Sequence, residues 1–196
     1  DPNIIMVGEI RDNETAGLAI NAALTGHLVL STLHTNSAAG ALPRLLDMKV
    51  EPFLIASTVT AIISQRLVRR LCPDQEIYKL TPAELASLKK DINLDRIHEI
   101  LKTEKIIDSK SEMEGIEWAR PKKTDACPEG YKGRIGIHEV LEMSETIKEL
   151  VVKNSTSDEI EKRAREEGML GMIDEGFIRA AQKVTSIEEI LRVTSE

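Results

Sequence analysis

Four consecutive apolar residues, Ile4-Ile5-Met6-Val7, run directly into Gly8-Glu9. A run that is apolar at every position, rather than at alternate ones, is the pattern of a strand buried on both faces of a parallel sheet. Gly8 ends that strand and leaves the Glu9 carboxylate at its C-terminal tip, the edge where open α/β sheets hold ligands. A second β-favouring run, Leu28-Val29-Leu30-Ser31-Thr32-Leu33, ends at His34-Thr35-Asn36. Between the two, Asn13 is placed to cap a helix through Leu24 that stops at Gly26. Strand, helix, strand in this order predicts parallel pairing. Parallel strands point the same way, so Glu9 and His34 are expected at one sheet edge and His27 at the opposite one.

Further along, Ser37 opens a short helix through Met48. A longer helix is expected from Pro52 to about Leu71, with Ile55, Val59, Ile62, Ile63 and Leu67 on one face. Residues 73–130 are rich in charge and show two helix starts, the capping box Thr81-Pro82-Ala83-Glu84 and the cap Asn93, with few strand signals. From Ser109 to Glu129 the chain is polar apart from Trp118, so this stretch reads as an insertion or arm, less firmly packed than its flanks. After Tyr131, Ile135 to Leu141 has the composition of a strand. Helices are then signalled by Ser144, by the capping box Thr156-Ser157-Asp158-Glu159 and by Thr185-Ser186-Ile187-Glu188. Met169, Met172, Ile173 and Phe177 form a stripe that suits packing between C-terminal helices. The expected organisation is an α/β core over residues 1–72, an arm-like insertion over 73–130 and a mostly helical region over 131–196.

The chain has 196 residues, 41% hydrophobic and 30% charged, the make-up of a globular protein. Aromatic content of 3% leaves little material for base stacking, and a net charge of −7 argues against nucleic acid as a partner. The cysteines are Cys72 and Cys127, too few for a disulfide framework, which favours a reducing compartment. The most apolar segment, Phe53 to Ile63, is interrupted by Ser57, Thr58 and Thr60 and is too short to span a bilayer. A cytoplasmic protein is expected.

The chemistry sits at the two strand tips. A rigidly held carboxylate such as Glu9 can hold a metal-bound water or accept its proton during phosphoryl transfer. An imidazole beside it, that of His34, can donate a hydrogen bond to a γ-phosphate and report its loss. This is the layout of a Walker B element, yet no G-x-x-x-x-G-K-[ST] phosphate loop occurs in the 196 residues. Taken singly, an exposed glutamate past a strand and a surface histidine are ordinary features. The spacing of His27 and His34 is not that of a helical metal pair.

Asp1-Pro2, the apolar run and Gly8-Glu9-Ile10-Arg11-Asp12 resemble the signature of secretion ATPases of the type II secretion and type IV pilus assembly family. Asn3 stands where that family usually has an acidic residue. The block Thr25 to Asn36 resembles the family's His box, two histidines flanking an apolar strand. The likeness continues at Gln65-Arg66-Leu67-Val68-Arg69-Arg70-Leu71-Cys72-Pro73 and from Gly130 to Leu141. It implies the C-terminal part of a RecA-like P-loop NTPase sheet, followed by an arm and a helical C-terminal region. It also implies a homo-hexameric motor that uses ATP and Mg2+ to drive secretion or pilus assembly. The motor would dock on an inner-membrane platform protein from the cytoplasmic face. Glu9, at the end of the strand closed by Gly8, would position the attacking water, and His34 and His27 would serve nucleotide sensing or a subunit interface.

Members of the secretion and assembly branch carry a zinc arm of two C-x-x-C pairs between the last two blocks. An arm-length segment is present, but Cys72 is followed by Gln75 and Cys127 has no partner three residues away, so no zinc is expected. Without a phosphate loop the chain alone is expected to bind ATP weakly and be inactive. The competing reading is a non-enzymatic adaptor or interaction module derived from such an ATPase.

Overall fold

The computed structural model describes residues 2–194, which divide into two compact units: residues 2–64 with 139–170, and residues 65–138 with 171–194. These units are interleaved in sequence and cut the chain elsewhere than the linear segments 1–72, 73–130 and 131–196.

In the first unit, β1 (Ile4–Val7) pairs in parallel with β2 (Leu28–Ser31), Ile4 opposite Leu28 and Val7 opposite Ser31. The connection is α1 (Asn13–Leu24), which returns the chain to the starting edge as parallel pairing requires. Its N-cap is Asp12, not Asn13: the Asp12 carboxylate accepts from Thr15 N–H at 2.8 Å. Gly26 ends the helix at φ 96°, a left-handed conformation open to a residue without Cβ.

Val7 and Val29 pack on a core built from Ile10, Ile20, Leu42, Leu45 and Ile55. The other face of the pair carries Ile4 (59% exposed), Met6 (78%), Leu28 and Leu30, so these strands are not buried on both sides as the continuous apolar run predicts. After β2, Ser37 forms a turn, accepting from Gly40 N–H at 3.1 Å. The helix α2 spans Ala41–Asp47, later than a start at Ser37. The unit is completed by α3 (Pro52–Thr58), which packs against α6 (Glu145–Val152), and by α7 (Ser157–Glu166). Ser144 caps α6 and Thr156 closes a capping box on α7, as expected.

The long helix expected from Pro52 to Leu71 is not formed. It stops at Thr58, Val59 turns to extended backbone (φ −75°, ψ 128°), and the chain continues as β3 (Ala61–Leu71). β3 pairs with β6 (Tyr131–Glu142), and each strand contributes a part to each unit. Val59 and Thr60 are β-branched, and exposure along β3 alternates residue by residue up to Val68, leaving Ile63 and Leu67 in solvent. An apolar stripe at Ile55, Val59, Ile62 and Leu67 fits a helix on paper, but an available partner strand decides the outcome.

In the second unit, β4 (Gln75–Lys79) pairs antiparallel with β5 (Glu117–Pro121), strands that the polar composition of 73–130 does not announce. Tyr78 lies opposite Trp118. Trp118 is fully buried, edge-on to Phe177 of α8 (Met172–Ala181) with centroids 5.8 Å apart. The arm is therefore packed, with Leu94, Ile97 and Leu101 of α5 (Leu94–Thr103) also buried. The helix α4 (Pro82–Leu88) begins at the Thr81–Glu84 capping box and α5 at Asn93, as expected.

In α9 (Ile187–Thr194) the start is shifted by one residue from the expected box. The Ser186 hydroxyl accepts from Glu189 N–H, while the Thr185 hydroxyl donates to Arg69 O. Cys72 and Cys127 form a disulfide. The two cysteines make no framework, but β3 delivers Cys72 to the segment leading into β6, where Cys72 N–H donates to Gly130 O at 3.0 Å and brings the sulfurs together.

Candidate functional site

The parallel register of β1 and β2 sets the geometry. Both strands end at the same edge, and the chain beyond them stays clamped: Ile10 N–H donates to Thr32 O at 3.0 Å, and the Thr32 hydroxyl donates to Gly8 O at 2.8 Å. Gly8 is thus held between the strand and the Glu9 side chain. With both tips fixed, the Glu9 carboxylate and the His34 imidazole meet, Oε1 to Nε2 at 2.6 Å. Arg11, two residues on from Glu9, closes the other side with Nε 2.7 Å from the same oxygen. His34 is 80% exposed and Glu9 22%, so an imidazole facing solvent covers a half-hidden carboxylate.

The Arg11 guanidinium, by its hydrogen bond and its charge, holds the Glu9 carboxyl below the usual glutamate range; partial burial opposes this, and His34 adds to it. The same contact raises the Arg11 guanidinium. A carboxylate kept ionised in this way is a good orienting acceptor for a water or a hydrated cation and a weak proton acceptor.

His27 stands at the opposite end of β2. Its Nδ1 lies 3.0 Å from Ala22 O and 3.0 Å from the Thr25 hydroxyl, against the C-terminal turn of α1. The structure therefore brings together Gly8, Glu9 and His34 and leaves His27 apart from them. Arg11 and Thr32 also stand at this site, neither of them marked by residue type alone. Arg11 was visible through its place in the Gly8–Asp12 block, whereas Thr32 becomes relevant only through the register that sets its hydroxyl on Gly8 O.

Among the described residues no group of three or more His, Cys, Asp or Glu side chains suits a metal ion. The sulfurs of Cys72 and Cys127 are joined to each other rather than held apart as thiolate ligands. His98 Nε2 lies 2.8 Å from Ser111 O, and His138 Nδ1 lies 3.4 Å from the Glu175 carboxylate. No helix among the described residues is long and apolar enough to cross a membrane.

The family model described as "Type II/IV secretion system protein" matches residues 1–192. The chain is 44% identical over 198 residues to the type II secretion system protein E of Xanthomonas campestris pv. campestris, covering all of this chain and 32% of that protein. It is 42% identical over 196 residues to the type IV pilus assembly ATPase PilB of Pseudomonas aeruginosa, again covering all of this chain and 32% of the relative. The chain thus spans about a third of the length of these relatives. Among solved structures it resembles the pilus retraction motor PilT with bound ADP, with a TM-score of 0.59, 22% identity, 98% of this chain and 39% of that one. It also resembles the Legionella pneumophila ATPase DotB, with a TM-score of 0.56, 21% identity, 96% of this chain and 37% of that one. These two likenesses bear on the fold alone, a mixed α/β arrangement.

Proposed function

The chain belongs to the type II/IV secretion system protein family, and from that premise we propose that it forms the C-terminal part of an ATP-hydrolysing motor for type II secretion or type IV pilus assembly. The observation that carries this reading is the convergence of Glu9 and His34 at 2.6 Å on the shared tips of two parallel strands. Glu9 is the carboxylate that positions and polarises the attacking water. Its depressed pKa favours orientation over proton abstraction, which suits phosphoryl transfer, where positioning and electrostatics do most of the work. His34 is the imidazole that senses the γ-phosphate: when phosphate arrives, it exchanges Glu9 for a phosphate oxygen and the β2 loop follows. Gly8 keeps the backbone at the tip free of a side chain. His27, at the far end of the strand, serves the subunit interface.

Glu9 is the residue of this site fitted to hold a water of a Mg2+ ion, and such an ion would supply positive charge against the phosphate oxygens of ATP. The backbone cradle and lysine of a phosphate loop are not encoded in these 196 residues, so they belong to another part of the motor. In the same reading the motor is a homo-hexamer at the cytoplasmic face of the inner membrane, docked on a platform protein. Residues 73–130 are its arm, of the zinc-arm type but with a Cys72–Cys127 bond in place of the metal cluster.

Two measurements test this. Isothermal titration of the 196-residue chain with Mg-ATP is expected to show no binding tighter than about millimolar, because binding energy on this scale needs the phosphate cradle. Micromolar affinity would overturn the half-site reading. In the full-length motor, Glu9→Gln is expected to lower kcat on the order of 100-fold and His34→Ala about 10-fold or more, with nucleotide affinity little changed. ATP turnover indifferent to both would take the catalytic roles from Glu9 and His34, and no turnover in the full-length protein would favour a non-enzymatic adaptor role instead.

A further inference from the structure

The buried face of β6 carries one residue that does not belong there on hydropathy: Glu139, 5% exposed, on the same face as the fully buried Leu141. A carboxylate taken out of water is costly unless it is hydrogen-bonded. Glu139 Oε1 accepts from Ala38 N–H at 2.6 Å, a short charge-assisted bond across a sequence separation of 101 residues. Ala38 is fully buried and stands four residues after His34, at the point where the β2 loop re-enters the core before α2. The upstream end of the same loop is fixed at Thr32 by Gly8 and Ile10. Residues 33–37 are therefore strung between two anchors, and His34 sits between them with its imidazole on Glu9.

We propose that Glu139 is a positioning residue for the Glu9–His34 site. By holding the Ala38 amide it fixes the downstream end of the loop, and so the reach of the His34 imidazole to the Glu9 carboxylate. The proposal rests on the catalytic reading of that pair given above. Reach is the property that matters: glutamate is long enough to span from β6 to the loop, glutamine keeps that length without charge, and aspartate keeps the charge but falls one methylene short. A buried charge kept for stability alone would rank these variants the other way.

The test is NMR on the 196-residue chain, reading amide exchange at Ala38 and the side-chain 15N signals of His34, assigned with His34→Gln. In the unmodified chain the Ala38 amide should exchange at least about 10-fold more slowly than that of the exposed Asn36. Glu139→Gln should leave the His34 signals in place. Glu139→Asp should shift them and speed Ala38 exchange about 10-fold or more. Ile160→Ala, a core truncation elsewhere in the same unit, should lower stability without moving His34. The proposal is overturned by an Ala38 amide that exchanges like a free loop amide, by His34 signals that ignore Glu139→Asp, or by an equal shift from Ile160→Ala. None of these readings uses ATP turnover, so loss of the catalytic role of Glu9 and His34 would be recognised separately by the kinetics.

Discussion

Arg69 holds the buried carboxylate of Glu189 in a fork, Nε 3.0 Å and Nη2 2.8 Å from Oε2, while its backbone N–H donates to Oε1 at 3.0 Å. Arg192 approaches from the next turn of α9, with Nη2 2.7 Å from Oε1. The Arg69 guanidinium also lies 4.3 Å from the centre of the Tyr131 ring, and the Tyr131 hydroxyl bonds Ser186 at 2.8 Å. Strands β3 and β6 and the start of α9 are thus tied at one carboxylate.

That carboxylate sets an acid limit on the fold. Burial works to raise the Glu189 pKa, but hydrogen bonds from Arg192 and Arg69 outweigh it and bring the group from 4.5 down to about 2. A folded-state pKa below the unfolded value gives stability that is complete above about 4.5 and is lost as the pH falls towards 2. At 1.36 kcal/mol per unit the contribution reaches about 3 kcal/mol as an upper figure. Urea unfolding at pH 7, 4 and 3 should show the gap between the native chain and Glu189→Gln closing as the pH falls. A gap that is constant across that range would show that folding leaves the Glu189 pKa where it is in the unfolded chain.

The shared edge of Glu9 and His34 was legible because both strands announce themselves by apolar runs and the helix between them dictates parallel pairing. The capping boxes at Thr81 and Thr156 were legible for a similar reason, since side chain and backbone partner lie within one turn. The information that was missing is non-local. The residues of β3 suit a helical periodicity as well as a strand until β6, far along the chain, supplies a partner. The exposed face of β1 and β2 and the tether from Glu139 to Ala38 likewise depend on what lies across space. The capping shift from Thr185 to Ser186 follows from Thr185 being drawn to Arg69 O.

Gly176 in α8 is a second point where packing overrides local preference. Alanine is the better helix former by about 1 kcal/mol, yet a Cβ at this position would come within 2.7 Å of Ile190 Cγ2 and 3.2 Å of Cγ1. Ile190 is fully buried and β-branched, so it has no rotamer freedom with which to retreat. Overpacking of this kind costs about 1–3 kcal/mol, so Gly176→Ala should be destabilising by about 1 kcal/mol net. Combining it with Ile190→Ala, which removes both contacting carbons, should cost less than the sum of the two single changes. Thermal unfolding of the four proteins closes the cycle, and strict additivity would mean that α8 and α9 do not meet at this pair.

Cys72 and Cys127, separated by 55 residues, close a loop that contains β4, α4, α5 and β5. In the chain-entropy account, cross-linking a loop of that length stabilises the fold by about 4 kcal/mol through the unfolded state. Cys127→Ser should therefore lower the unfolding free energy by up to about that amount in oxidising buffer, and the two proteins should converge once a strong reductant is present. Thiol titration in denaturant gives the direct reading: no free thiol before reduction and two after it. Two free thiols without reductant, together with about one zinc per chain by metal analysis, would instead return the arm to a metal-held form. The bond should also be labile in a reducing compartment, where glutathione and thioredoxin keep thiols reduced. Stability measured with and without reductant thus shows how much of the arm's order comes from the cross-link and how much from Trp118, Phe177 and the β4–β5 ladder, which need no oxidant.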